Sequence, residues 1–263
     1  MVNEHEINLI TNWIAEYFQA AGRTNAIVGL SGGIDSAVIA ALCTKALGKE
    51  RVLGVILPIE SSVHDGLDAV EVIKSLGIDY VTVNSEPAFQ RWYTDLVGSG
   101  QVATFLSNGA LKENRRMTRA NAKARFRMTT LYALAEMGDG LVVGTTNKTE
   151  SRIGYATKYG DGGVDIEPIM DYYKTEVFEL AKFLDVPQVI IDRKPSAGLW
   201  EGQTDEDEIG MPYSEIDRVL RYLEGNKGEV RMGGYLEASI DKVRQMIMRN
   251  EHKTKMPPHY TRN

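Results

Sequence analysis

Residues Ala26-Ile27-Val28-Gly29-Leu30 carry no polar side chain at any position, and they run straight into Ser31-Gly32-Gly33. A strand that is apolar on both sides must be covered on both faces, the condition of an inner strand in a parallel sheet. The apolar helical run Ala37-Val38-Ile39-Ala40-Ala41-Leu42 follows at once. Three further short apolar runs read as strands: Val52 to Leu57, stopped by Pro58; Tyr80 to Val83; and Gly140 to Gly144. Helical segments separate them, the first ended by Gly48 and the second, over 64–76, by Gly77. This alternation predicts an α/β fold: one doubly wound, Rossmann-like parallel sheet with helices on both faces. No internal repeat, low-complexity tract or Gly/Ser linker divides the chain, so residues 1–263 read as a single domain.

The remaining elements follow from spacing. Ile7, Ile10, Trp13, Ile14, Tyr17 and Phe18 recur at helical intervals and predict an amphipathic helix over 4–20. Residues 86–109 are mixed, broken by Gly98 and Gly100, and predict one or two short helices. A long helix is expected from Glu113 to Met137, and others over 175–184, 213–224 and 235–250. Val189 to Ile191 fits a short strand or a helical turn. Residues 194–210 show little sign of regular structure, and a long irregular loop in a compact domain is often a functional lid.

A strand, a Gly/Ser turn and a helix N-terminus together make an anion site, because free amides and the positive end of the helix dipole face the turn. The turn is not a Walker loop, which needs a Lys-Ser/Thr pair after its second glycine. It carries the carboxylate of Asp35 instead. A carboxylate beside phosphates is repulsive unless a metal bridges them, so Asp35 implies Mg²⁺. Gly29, Leu30, Ser31, Gly32, Gly33, Ile34, Asp35 and Ser36 resemble the SGGxDS loop of the PP-loop ATP pyrophosphatases, which split ATP into AMP and pyrophosphate.

Five more segments bear on chemistry. The fourth strand opens into Thr145-Thr146-Asn147-Lys148-Thr149-Glu150, whose hydroxyls and carboxylate suit a hard cation and a nucleotide edge, or simply cap a helix. The helix before it carries Arg115, Arg116, Arg119, Lys123, Arg125 and Arg127. Arg119, Lys123 and Arg127 share one face, a stripe that can attract an anionic substrate. Lys158-Tyr159-Gly160-Asp161-Gly162-Gly163-Val164-Asp165 places one cation and two anions in a glycine-rich turn. Lys194 to Gly210 and the late pair His252-Lys253 complete the set.

With these segments in order, the chain is similar to the ammonia-dependent NAD synthetases over residues 1 to about 258. It matches their GTxNxxE, NxxARxRM, KYGDGxxD and PSAxLxxxQxDExxxG segments. The resemblance implies a reaction joining ammonia to deamido-NAD with ATP as co-substrate, through an acyl-adenylate. It implies that Asp35 and Glu150 hold Mg²⁺, and that Thr145, Lys174 and Ser196 contact ATP together with the Gly29–Ser36 loop. Arg125, Lys158, Asp165, His252 and Lys253 would contact deamido-NAD, and Asp161 would lie near the ammonia. It also implies a homodimer. With no glutaminase domain in view, ammonia would come from solution or from a separate protein. Another PP-loop ligase, tRNA-modifying or GMP-forming, and a nucleotide sensor on the same fold are the alternatives.

Composition agrees with this class and disfavours others. The formal net charge is −6, the wrong sign for a protein whose main task is to grip nucleic acid. The single cysteine, Cys43, lies in an apolar helical run and fits a reducing compartment. The N-terminus lacks the pattern of a signal peptide, and no apolar stretch nears the ~20 residues that span a bilayer. A cytoplasmic enzyme without membrane or nucleic-acid partners is expected.

Overall fold

A computed structural model describes residues 2–105, 115–196, 202–225 and 235–261. The sheet has four parallel strands, β1 (Asn25–Gly29), β2 (Val52–Ile56), β3 (Asp79–Thr82) and β4 (Gly140–Val142), in the order β3-β2-β1-β4. Ala26 pairs with Val52 on one side and Leu141 on the other. Beyond β4 a parallel bridge joins Val143 to Ile166.

The helices up to β3 are α1 (Glu4–Ala21), α2 (Ile34–Leu47) and α3 (Val63–Leu76). After β3 come α4 (Glu86–Val97), α5 (Gly100–Phe105) and α6 (Arg115–Met137), and after β4 come α7 (Lys148–Ile153), α8 (Lys174–Phe183), α9 (Gln188–Ile191), α10 (Asp205–Ile209), α11 (Tyr213–Leu223) and α12 (Tyr235–Thr254). Side chains alternate across a strand, and here they feed two cores. Ala26, Val28, Val52 and Ile56 pack against α1, α2, α3 and α8. Ile27, Val55 and Val142 face the other way, onto Ala135 and Leu131 of α6. A third cluster, with Ile153, Ile216, Leu220, Ile240 and Val243, joins α7, α11 and α12 beside the sheet.

The doubly wound expectation therefore holds. Helix α2 is buried from Ser36 to Cys43, as a helix that is apolar all round must be. Burying Ile39 and Leu42 there stabilises the fold by roughly 2 kcal/mol each. Burial pushes the Cys43 thiol up to about 12, so it is an inert core residue. The chain winds outward from β1 through β2 to β3, then crosses behind the sheet by α6 to β4 on the far side of β1. Strand order reverses between β1 and β4, and ligands bind beyond the carboxyl ends of strands at such a switch point.

One expectation needs correction. Residues 205–209 are not irregular but form α10, with the Thr204 hydroxyl accepting the Asp207 amide and Gly210 closing the helix at φ +71°. Four acids in that first turn suit the helix dipole. Of the two readings of Val189 to Ile191, the helical turn holds. The two short helices expected in 86–109 are α4 and α5; residues 106–109 lie outside the described residues.

The basic stripe on α6 is also tied to the protein itself, although Arg127 lines the cavity described below. Arg119, Lys123 and Arg127 do share a face, but it is turned inward. Arg119 pairs with Glu60 and lies 4.5 Å over the Tyr93 ring. Lys123 sits 3.4 Å from Glu60. Arg127 donates to the Leu57 carbonyl at 3.0 Å and to the Ser61 hydroxyl at 3.1 Å. The stripe moors the loop between β2 and α3, where Glu60 takes φ +53°. The Arg119 guanidinium holds Glu60 down to about 2, against an ordinary 4.5. A depressed carboxylate stabilises above its unfolded pKa and loses that contribution as pH falls toward its folded one. Arg119→Met should therefore cost about 2 kcal/mol at pH 7. In urea titrations the gap to wild type should narrow from pH 4.5 toward pH 2; a gap independent of pH would contradict the pairing.

Candidate active site

The loop at the end of β1 is built to receive an anion. Gly32 has φ +78°, and a Cβ there would come 2.6 Å from the Asp65 carbonyl, so no other residue fits. The Ser31 hydroxyl accepts the Gly33 amide at 3.2 Å, and the Ser36 hydroxyl donates to the Gly33 carbonyl at 2.9 Å. No side chain caps the N-terminus of α2, so its first amides are available to a ligand. Ile34 is buried; the variable slot of the loop is a core position here.

Asp35, in the first turn of α2, meets two later segments. Its Oδ1 accepts Asn147 Nδ2 at 3.0 Å and its Oδ2 accepts Lys174 Nζ at 2.5 Å. Asn147 is the N-cap of α7, and Glu150 closes the reciprocal capping box. The capping reading of this segment holds, and the same side chain also turns to the cluster: Glu150 Oε2 accepts the Asn147 amide while Oε1 accepts Lys174 Nζ at 3.2 Å. Lys174 is 2% exposed, and its Nζ lies 5.0 Å from the Tyr213 ring centroid. The carboxylates of Asp35 and Glu150 keep it protonated, above its ordinary value despite burial. Burial pushes Glu150 up to about 8; Lys174 opposes this, and the charges of Asp35 and Asp205 add to it.

A cavity of about 900 Å³ opens over this cluster, at the upper end for a small-molecule site. The 29–36 loop lines it, Gly32 excepted, with Thr145, Glu150, Asp161, Lys174, Ser196 and Lys253. Also on its wall, Asp161 accepts the Thr157 amide at 2.7 Å, and desolvation of its carboxylate raises its pKa. Lys253 Nζ donates to the Gly154 carbonyl at 3.0 Å.

Four expected contacts stand apart. Arg125, Lys158, Asp165 and His252 do not line the cavity. Arg125 Nε donates to the Lys158 carbonyl at 3.1 Å, and Lys158 Nζ to the His252 carbonyl at 2.6 Å. Asp165 is fastened to the sheet, accepting the Val142 amide at 2.8 Å and the Tyr132 hydroxyl at 3.1 Å.

Other residues at the cavity went unread in the sequence. Asp205 is 4% exposed and accepts the hydroxyls of Tyr155 at 3.1 Å and Tyr213 at 3.0 Å. Arg193 reaches over Gly32, pairing with Asp65 and, at 2.5 Å, with Asp68. In the sequence Asp205 is marked only as the D of the PSAxLxxxQxDExxxG segment, with no role attached; for Arg193 there is no signal.

A parallel switch-point sheet whose Gly/Ser loop carries a carboxylate in place of the Walker lysine defines a nucleotide-binding protein of the PP-loop class. Comparison with known proteins narrows this. The family model described as NAD synthase matches residues 6–257, and the chain belongs to that family. It is 46% identical over 258 residues to the NH(3)-dependent NAD(+) synthetase of Methanosarcina acetivorans, covering 95% of each chain. Among solved structures it is similar to an NMN synthetase from Francisella tularensis, with TM-score 0.82, 35% identity and 99% of each chain covered. It is also similar to an NH3-dependent NAD synthetase from Campylobacter jejuni, with TM-score 0.79, 26% identity, and 99% and 100% covered.

Proposed function

We propose that this chain is an ammonia-dependent NAD synthetase, forming NAD⁺ from deamido-NAD, ATP and ammonia in the last step of NAD biosynthesis. The observation that carries the residue roles is the meeting of Asp35, Glu150 and Lys174 in the same cavity that the 29–36 loop lines. A nicotinate carboxylate is a poor acyl donor, since its leaving group would be oxide. Its oxygen attacks the α-phosphorus of ATP and pyrophosphate leaves. Ammonia then attacks the acyl carbon of the adenylate, AMP departs, and the attacking nitrogen sheds a proton.

In this reading the amides from Gly29 to Ser36 cradle the pyrophosphate, and Lys174 offsets the charge gathered there. Thr145 and Ser196 contact ATP. Asp161, a desolvated carboxylate on the cavity wall, binds ammonium or takes its proton. Lys253 at the cavity wall, with Arg125, Lys158, Asp165 and His252 outside it, contacts deamido-NAD.

Mg²⁺ fits the residues present. Asp35 and Glu150 both reach one cation, Lys174 Nζ, so two hard oxygens converge on one place. Among the described residues no group of three or more His, Cys, Asp or Glu forms a closed metal cage. Mg²⁺ is ordinarily held in this open way, by one or two carboxylates completed by substrate phosphates. Bound by Asp35 and Glu150, it would neutralise phosphate charge. Asp35→Asn should lower AMP formation at least about 100-fold with the fold intact; near-normal turnover would sink the metal assignment.

Further parts of the proposal are a single domain over 1–263, a homodimer and a cytoplasmic location. Leu9, Trp13 and Tyr17 form an exposed apolar edge on α1 that suits an interface, and sedimentation as a monomer would refute the dimer. Among the described residues no helix is long and apolar enough to cross a membrane. The similarity to an NMN synthetase favours one second reading, the same amidation on a mononucleotide. The deciding assay supplies ATP, Mg²⁺ and ammonium with either deamido-NAD or nicotinate mononucleotide. AMP and NAD⁺ forming together, only with the dinucleotide, is the expected result. Faster amidation of the mononucleotide would select the second reading, and ADP would overturn both.

A further inference from the structure

Asp217, on α11, does not line the cavity, yet it touches the segments that carry both reacting-end groups. It is 2% exposed. Its Oδ1 accepts a short hydrogen bond from the Thr149 hydroxyl. Its Oδ2 accepts the Thr175 amide at 2.9 Å. The Thr149 oxygen in turn accepts the Lys174 amide at 2.9 Å. Thr149 directly precedes Glu150, and Thr175 directly follows Lys174. One buried carboxylate on a third helix thus grips the chain neighbours of the two groups that face each other at 3.2 Å.

The arrangement is more than a helix cap. The first amides of a helix need acceptors, and an N-cap side chain close in sequence ordinarily supplies them. For α8 the acceptors of the Lys174 and Thr175 amides come from α7 and α11 instead. The direction in which Lys174 enters the cavity therefore depends on where those helices stand. Burying a carboxylate is costly unless its lone pairs are used. Burial raises the Asp217 pKa, and the Thr149 and Thr175 bonds oppose the rise by favouring the ionised form.

We propose that Asp217 is a positioning residue for adenylation, fixing the relative placement of Glu150 and Lys174 through Thr149 and the Thr175 amide. The proposal rests on the roles given above to Glu150 and Lys174.

The test is ATP–pyrophosphate exchange driven by deamido-NAD, measured well below each variant's unfolding midpoint. Asp217→Asn and Thr149→Val should each lower kcat roughly 10- to 100-fold, because small misplacements at a reacting centre carry large penalties. The KM for deamido-NAD should move less than about threefold, since no group that touches it has changed. Thr149→Ser keeps the hydroxyl and should stay within about twofold of wild type. The double variant should be no slower than the slower single one, as expected of one coupled unit. A lowered unfolding midpoint with wild-type kcat in Asp217→Asn and Thr149→Val would overturn the proposal, leaving a purely structural carboxylate. If Asp217→Asn does not fold, the Thr149 pair decides: loss in Val with retention in Ser supports the proposal, and normal rates in both overturn it. Lys174→Met and Glu150→Gln run as controls. Wild-type exchange in those two would overturn the roles beneath the proposal and the proposal with them; loss in those two with normal Asp217→Asn would overturn the proposal alone.

Discussion

Lys174→Met is expected to reduce AMP formation by roughly 10²- to 10³-fold, the usual penalty for removing one group preorganised against developing charge. Lys174 is the cation shared by Asp35 and Glu150, and it sits almost wholly out of solvent. Adenylation brings a carboxylate to a triphosphate, so every negative group in this corner must be offset. Met keeps the length and apolar stem while deleting the charge. Stability should fall as well, by about 3 kcal/mol at pH 7, because Asp35 and Glu150 lose the buried cation they share. Lys174→Arg should not restore the rate. A planar fork cannot occupy the place of a compact ammonium held between Asp35 and Glu150 under the Tyr213 ring. Single-turnover AMP formation beside urea midpoints separates the two effects. AMP formation near the wild-type rate in a folded Met variant would remove Lys174 from the reaction.

The parts of this site that could be read in the sequence are those encoded locally. The 26–42 stretch contains its own strand, turn and helix, and each is marked by residues within a few positions. Gly48 and Gly77 end their helices in the sequence and in the structure. The parts that escaped depend on partners far along the chain. Arg119, Lys123 and Arg127 have the spacing of one face, and that much is local. That Arg119 and Lys123 meet the protein turns on Glu60, which lies 59 residues from Arg119. Asp217 meets Thr149 across 68 residues, and nothing near either one marks the pairing. The acidic run 205–208 mixes both cases. Thr204 and Gly210 are ordinary helix punctuation and mark α10 locally. The burial of Asp205 beside exposed Glu206, Asp207 and Glu208 depends on the Tyr155 and Tyr213 hydroxyls that meet it.

Glu167→Gln should remove a loss of stability that wild type suffers as pH rises from about 4.5 to 7. Glu167 follows the β4 extension, and its carboxylate packs against Gly144, where a Cβ would come within 2.4 Å of it. Its oxygens accept the Thr146 amide at 3.0 Å and the Thr146 hydroxyl at 2.8 Å. Desolvation pushes it up to about 7, and the two Thr146 bonds only partly offset that. In the unfolded chain the same group ionises near 4.5. Between those values the folded state holds the proton that the unfolded state has released, so stability falls with rising pH across that window and is level outside it. The full shift corresponds to about 3 kcal/mol. Glu167 keeps some contact with solvent, which screens its charge and brings the expected effect nearer 2 kcal/mol. Gln has the same shape and can still accept the Thr146 amide, but it does not titrate. Urea unfolding at pH 5, 6, 7 and 8 should therefore show the variant gaining on wild type up to pH 7 and then holding its lead. Parallel curves would mean that Glu167 is ionised in the folded protein throughout. The consequence reaches the site, because Thr146 adjoins Asn147, whose amide group holds Asp35. An ionised Glu167 accepts from both Thr146 donors at once, so the β4–α7 loop is gripped through two charge-assisted bonds above pH 7, at a cost in overall stability.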